Sequence, residues 1–404
     1  MTLEYVPNDP AVLADPFPLY RRMRDEEPAH WSPLLKAWVL TRYADVRDVC
    51  VGSGMSSDRL RPFFAAMPSA EAARITDLMR YLTLWMVFRD PPVHTRLRRL
   101  ASKVFNARSM QALRPNVEAL TAWLLDRIGE REQFDFIAEL AGPLPALVIM
   151  DMLGVPRGAL ERVKHLSDEM ALFIGSARDS AEKYARAEAA TREMAELFRD
   201  LIAARRTMPG RDLLTELAAL EDEGDRLTDD ELVATCILLL FAGHETTTHH
   251  LANGLLALLR FPRELQKLRE NPALGPPAVE ELLRFDGPIG AQVRIVGEDC
   301  QLHGKKLRAG ERVFLLMNAA NRDPRAYRNP EALELERRDG PPHLTFGFGP
   351  HICLGFPLAR LEGQVALPAV LARWPRIELG DAKLEWLDSM VLRGLKALPL
   401  RVRR

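Results

Sequence analysis

The sequence predicts a mainly α-helical fold with a small β region, organised as a single domain over residues 1–404. Three observations carry that expectation. Apolar residues recur at helical spacing over Val117 to Ile128, Ala181 to Ala204 and Leu361 to Leu371. From Thr228 no proline occurs until Pro262, room for one helix of roughly 30 residues and about 45–50 Å, well above the usual length. Short strand-like runs stand near Trp38 to Leu40, Val293 to Val296 and Val313 to Met317.

Composition narrows the class. The 404 residues are 47% hydrophobic, enough for a large buried core. No linker, charge block or repeat marks a boundary. Lys and Arg number 55 against 56 Asp and Glu, so overall charge gives no reason to expect nucleic acid. Cys50, Cys236, Cys300 and Cys353 are scattered and form no C-x-x-C, which fits a reducing compartment. Met1 to Tyr20 carries Asp9, Asp15 and several prolines, without the apolar stretch of a signal peptide. The longest apolar run, Cys236 to Gly243, is far short of a bilayer span. These features predict a soluble, cytoplasmic protein with no membrane and no nucleic-acid partner; a monomer is expected.

Taken in chain order, a helix starts after Asp90-Pro91-Pro92. His94 and Arg98 stand at i,i+4 on one face, suited to a buried anion. Arg96, Arg99 and Lys103 fall on nearly the opposite face. Arg96 to Arg108 contains no acid, so the expectation there is an exposed basic patch, a solvated face or, in the reading favoured, a docking site for an acidic electron-transfer protein.

The long helix comes next. Thr228-Asp229-Asp230-Glu231 has the form of a capping box. At its centre lies Ala242-Gly243-His244-Glu245-Thr246-Thr247. A mid-helix glycine costs about 1 kcal/mol relative to alanine, and threonine hydroxyls bond back to helix carbonyls and bend the helix. Local rule-breaking of this kind is expected at functional sites. Leu239, Ala242, Gly243 and Thr246 share a face, where small residues leave room for a flat cofactor or let another helix cross. His244-Glu245 with His249 imitates a zinc-protease helix, but its histidines are at i,i+5, about 140° apart rather than aligned.

Glu281-Leu282-Leu283-Arg284 is an E-x-x-R pair, which on an exposed helix contributes a few tenths of a kcal/mol. The most informative segment is Phe346-Gly347-Phe348-Gly349-Pro350-His351-Ile352-Cys353-Leu354-Gly355. A cysteine just ahead of a helix sits at the positive end of its dipole, which favours thiolate. Gly347 and Gly349 let the backbone turn tightly beside the sulfur, and Pro350 stiffens the turn. One cysteine is too few for structural zinc or an iron–sulfur cluster. Haem iron needs only one or two axial ligands, and thiolate is one of them.

This decapeptide resembles the haem-ligand signature of the cytochrome P450 family, Phe-Gly-x-Gly-x-His-x-Cys-x-Gly, at every defined position. Ala242 to Thr247 resembles the oxygen-activation motif of the same family. The resemblance covers essentially the whole chain, closely in about five segments. It implies the cytochrome P450 fold, haem b (iron protoporphyrin IX) and Cys353 as metal ligand. The haem would be cradled by Phe346, Gly355, Ala242 and Gly243, and its propionates held by His94, Arg98, Arg294 and His351. Thr246 would hydrogen-bond dioxygen and Glu245 feed protons. Glu281 and Arg284 would brace the ligand loop, with a further partner in or after Asn321-Arg322-Asp323-Pro324. Family position points to Leu82, Trp85, Leu240, Phe241, Ile289, Val293 and Val391 as substrate contacts, within stretches that also include Leu172 to Ile174 and Met390. Two departures stand out: Glu245 replaces the commoner Asp, and Phe356 a smaller residue.

The implied activity is insertion of one oxygen atom of O₂ into a hydrophobic small molecule. Electrons would come from NAD(P)H through a separate reductase and a ferredoxin or flavodoxin. A peroxide-dependent peroxygenase and a non-catalytic haem sensor are the alternatives. The Glu245-Thr246 pair argues against both, since peroxide already carries its protons and a sensor needs none.

Overall fold

The computed structural model describes residues 3–174 and 182–403. It is largely helical, and the described chain forms two compact units. One comprises Met1–Ser56, Val117–Gly142 and Thr246–Arg404; the other comprises Ser57–Asn116 and Pro143–Glu245.

The first unit contains the β structure. Its five-stranded sheet runs in the order Ala29–Ser32, Ala37–Leu40, Arg312–Leu316, Ala291–Val296, Met55–Ser56. Ala37–Leu40 and Arg312–Leu316 pair in parallel, and the other neighbours are antiparallel. Alternation sorts the side chains by face. Leu40, Val313 and Leu315 pack with Tyr43, Val46 and Cys50 of one helix. Val39, Val293, Phe314 and Leu316 pack with Phe17, Tyr20 and Met23 of another. Val313 to Met317 was expected as strand, but the strand ends at Leu316 and Met317 opens a short helix, Met317–Ala320. The Asn318 side chain donates there to Gly287 O at 2.9 Å, turning the chain off the sheet. Gly275–Asp286 packs against the late helix Phe356–Arg373. A methyl group on Gly275 would stand 3.5 Å from Gln364 O, so the two backbones approach closely.

The second unit is helical. Val93–Val104 buries His94, Leu97, Leu100, Ala101 and Val104 on one side. Leu160–Ile174 packs against Lys183–Thr207. The latter answers the apolar run expected from Ala181, a residue that lies outside the described ones.

The long helix spans Asp229–Arg260, 32 residues. Its capping box forms as the sequence predicts. Thr228 N–H donates to Glu231 Oε2 at 2.9 Å, and Glu231 N–H to Thr228 Oγ1 at 3.2 Å. No described helix is long and apolar enough to cross a membrane.

The expected basic patch is not there. Arg96 pairs with Asp225 at 3.0 Å and Glu231 at 2.7 Å. Arg99 meets Asp222 and, at 3.2 Å, Asp225; Lys103 reaches Asp222 at 3.2 Å. Acids more than a hundred residues further along pair with these three side chains, so the stretch is purely basic only when read linearly.

Candidate active site

In the first unit, Gly347 and Gly349 take φ of 73° and 70°. Gly349 also lacks room for a side chain. A Cβ there would stand 2.8 Å from Val51 Cγ1 and 3.1 Å from Cys50 O, whereas one on Gly347 would press at 2.9 Å only on the movable end of the Gln292 side chain. Gly349–His351 forms one 3₁₀ turn, and Cys353 N–H closes the loop onto Phe346 O at 2.8 Å. The helix Phe356–Arg373 follows, with Gly355 at its N-cap. The Phe356 ring lies 6.0 Å from that of Phe346, and the Arg360 guanidinium lies over both, at 4.8 and 5.0 Å. Glu280 holds Arg360 there at 2.5 and 2.7 Å. The bulk of Phe356 is thus absorbed in an aromatic–cation stack.

Only one of the four cysteines is open. Cys50 and Cys236 are buried, Cys300 is half-buried and Cys353 is exposed. Burial raises the Cys50 and Cys236 thiols, and burial together with Asp299 raises Cys300. Cys353 is therefore the thiol in position to serve as a ligand.

The E-x-x-R pair is a buried cluster with a third member. Arg284 Nε and Nη2 reach the two Glu281 oxygens at 2.7 and 2.8 Å, and Arg337 Nε meets the same carboxylate at 3.2 Å. Glu334 N–H adds a bond of 2.9 Å to Glu281. Arg284 also donates to the carbonyls of Asn321, Pro330 and Ala332. Arg337 is the partner that sequence reasoning could not single out. Arg322, in the expected tetrapeptide, goes instead to Glu331 and Phe285 O. Asn321 continues the brace, accepting from Leu344 N–H at 2.7 Å and donating to Thr345 Oγ1 at 2.9 Å. The cluster thus fixes the chain directly ahead of the Cys353 loop.

Arg294 is buried and donates to Val293 O at 3.0 Å; His351 is half-buried in the 3₁₀ turn. Ile289 bridges to Leu392, and Gly290 N–H donates to Val391 O at 2.8 Å, so the two predicted substrate segments meet here. Val293 lies in the apolar cluster under the sheet. Thr246, half-buried, is followed by a polar interior that sequence reading did not find. Glu362 is fully buried beside the Thr247 hydroxyl, and burial pushes its carboxyl up to about 8. His250 is pushed down to about 4, by burial first and then by His343. Both groups are neutral at pH 7.

In the second unit, His94 is buried and Arg98, one turn on, is half-buried. Ala242 is exposed although most of the helix around it is buried. A methyl on Gly243 would sit 3.0 Å from Ile149 Cγ1, so this glycine is a close-packing position as well. His244 Nδ1 lies 2.7 Å from Leu240 O, which can only accept, so Nδ1 carries the hydrogen. Its Nε2 is 3.3 Å from Glu245 Oε1. Burial opposes charge on His244, but the Glu245 bond and charge, the Leu240 carbonyl and Asp168 together outweigh it and raise its pKa. Asp168, open to solvent on one side and crowded by protein on the other, is pushed up to about 6 by that enclosure first and by Glu245 second. Leu82, Trp85, Leu240 and Phe241 are all buried. The Trp85 ring stacks on Phe88 at 5.9 Å and lies 5.7 Å from Phe241.

The family model for Cytochrome P450 matches residues 67–273 and 276–382. Cytochrome P450 107B1 of Saccharopolyspora erythraea is 37% identical, with 99% of each chain covered. Vitamin D(3) 25-hydroxylase of Pseudonocardia autotrophica is 38% identical over 96% of this chain and 93% of that one. Among solved structures, P450BioI in complex with an acyl carrier protein ligated to hexadec-9Z-enoic acid superposes with a TM-score of 0.90 at 32% identity, covering 98% of this chain and 99% of that one. CYP109E1 from Bacillus megaterium in complex with testosterone gives 0.83 at 32% identity, covering 96% and 100%. A glycine-turned cysteine loop braced by a buried Glu–Arg cluster, on this fold, defines a haem-thiolate protein, and the chain belongs to the cytochrome P450 family. It is a monooxygenase whose cofactor is haem b. The residues present fit that group: one accessible thiol at a helix start, an exposed alanine methyl on the long helix, and buried Arg294 and His94 with the donor chemistry that propionates require.

Proposed function

We propose that the chain hydroxylates or epoxidises an apolar small molecule, with Cys353 as the thiolate ligand. The carrying observation is the exposure of Cys353 at the start of a helix while the other three thiols are held protonated. When bound, the haem supplies the iron centre that activates O₂ and accepts electrons. The reaction consumes O₂, two electrons and two protons; one oxygen enters the substrate and the other leaves as water. His94, Arg98, Arg294 and His351 hold the propionates, and Phe346, Gly355, Ala242 and Gly243 leave space for the ring.

Glu245 delivers the protons, and Thr246 orients the recipient with its hydroxyl. His244 is a proton store beside Glu245, since its Nδ1 is committed to Leu240 O and its Nε2 faces the carboxylate. Leu82, Trp85, Leu240, Phe241, Ile289, Val293 and Val391 give the substrate an apolar surround. The hexadec-9Z-enoic acid borne by the acyl carrier protein in one relative's complex and the testosterone in another's are largely apolar, which supports this class.

Electrons reach the protein from NAD(P)H through a reductase and a ferredoxin or flavodoxin. The protein works as a soluble cytoplasmic monomer. Neither compact unit is a continuous stretch of chain, which supports reading residues 1–404 as one domain. Turnover under ¹⁸O₂ with a surrogate ferredoxin, its reductase and NADPH tests this, using testosterone and hexadec-9Z-enoic acid as probes. One ¹⁸O per product is expected. Product formed with hydrogen peroxide and not with the reduced ferredoxin would assign a peroxygenase instead.

A further inference from the structure

The short helix Thr76–Leu82 does not cap itself, because Ile75 at its N-cap has no side-chain acceptor. Its first amides are satisfied by Glu188, from the middle of Lys183–Thr207. Leu78 N–H donates to Glu188 Oε2 at 2.8 Å and Asp77 N–H to Oε1 at 3.4 Å. Glu188 is only 4% exposed, and a carboxylate that buried is rare unless paired. Arg192, one turn on, supplies the pairing at 2.6 Å and also reaches Asp77 Oδ2 at 3.0 Å. A second turn and more beyond, Arg199 donates to the Tyr81 hydroxyl at 2.6 Å. Spacings of four and seven put residues 188, 192 and 199 within about 40° of one another on the helix surface. One polar stripe therefore grips the Thr76–Leu82 helix at both ends. Arg80 is held separately, by Asp230 at 2.8 and 2.7 Å.

Leu82 ends the gripped helix and Trp85 follows three residues later. We infer that Glu188 is a positioning residue for the substrate pocket: by capping Thr76–Leu82 it sets where Leu82 and Trp85 stand, and so governs substrate affinity and the site of oxidation. The inference rests on the reading of Leu82 and Trp85 as substrate contacts. Glu188 acts through backbone amides and touches no reacting group.

The test compares two azoles that bind the holoenzyme's iron, imidazole, too small to probe the pocket walls, and 4-phenylimidazole, whose ring fills the pocket. The variants are Glu188→Gln, Glu188→Ala, Tyr81→Phe, which releases the far end without burying a lone charge, and Trp85→Ala. Amide exchange is followed over residues 74–88. In both Glu188 variants, exchange at Asp77 and Leu78 accelerates and 4-phenylimidazole binds about tenfold more weakly. Imidazole affinity and the ferrous–CO band near 450 nm stay as in the parent. Tyr81→Phe moves the azole ratio in the same direction, by less. Faster exchange with an unchanged azole ratio would make Glu188 merely structural and overturn the inference, as would unchanged exchange. A ratio moved by Trp85→Ala but not by the Glu188 variants sinks the inference and leaves the pocket reading standing. A ratio unmoved by Trp85→Ala sinks the pocket reading itself.

Discussion

Glu362→Gln replaces a buried, protonated acid with a neutral side chain of the same shape. Glu362 has no solvent exposure, and burial holds its carboxyl at about 8 against an ordinary 4.5, with the Thr247 hydroxyl pulling the other way. The folded pKa is raised, so the folded state binds the proton more tightly than the unfolded chain does. Its contribution to stability is complete below pH 4.5 and is lost as pH rises to about 8. Each pH unit in that window is worth about 1.4 kcal/mol. Between pH 6 and pH 8 the parent should lose roughly 2 kcal/mol that the glutamine variant keeps. At about 2.1 cal/mol/K of unfolding entropy per residue, a chain of 404 residues converts this to a melting-temperature gap that widens by roughly 2–3 °C. Thermal loss of the haem absorption band, followed for both holoproteins at one scan rate and at pH 6 and 8, measures the gap. Taking differences between the variants cancels every other titrating group. A gap that stays constant across the two pH values would show Glu362 already ionised in the fold and refute the reasoning.

Other perturbations follow from the same geometry. Glu281→Gln leaves Arg284 and Arg337 buried without their shared carboxylate; a loss of about 3–5 kcal/mol is expected, seen as low haem content and a lowered melting temperature. Gly243→Val drives a side chain into Ile149, destabilising by about 1–3 kcal/mol, and a second change, Ile149→Ala, should restore much of that in the same melting assay. Glu245→Gln removes the largest of the influences that lift His244 against its burial. The His244 pKa should fall from its value in the parent, followed by the pH titration of its ¹³C-labelled imidazole signal. A His244 that titrates unchanged would contradict its role beside Glu245.

What was legible in the sequence was local. Gly347 and Gly349 report their own backbone, and the structure gives them the positive φ their pattern implies. Thr228 and Glu231, three residues apart, cap each other as a capping box must. Glu281 and Arg284 sit one helical turn apart and were readable as a pair. Their third partner was not, because Arg337 reaches them across 56 residues of chain, and nothing in its own neighbourhood marks it. The basic run after Arg96 was misread for the same reason. Its counter-charges, Asp222, Asp225 and Glu231, arrive through the fold. Glu362 and Glu188 were missed because a helical acid looks exposed until its neighbours are known.

The central claim is that Cys353 is the thiolate under the iron. Cys353→Ser, reconstituted with haem, reduced with dithionite and exposed to carbon monoxide, tests it most directly. Loss of the absorption near 450 nm with haem still bound is the predicted result. A variant that keeps the 450 nm band would contradict it.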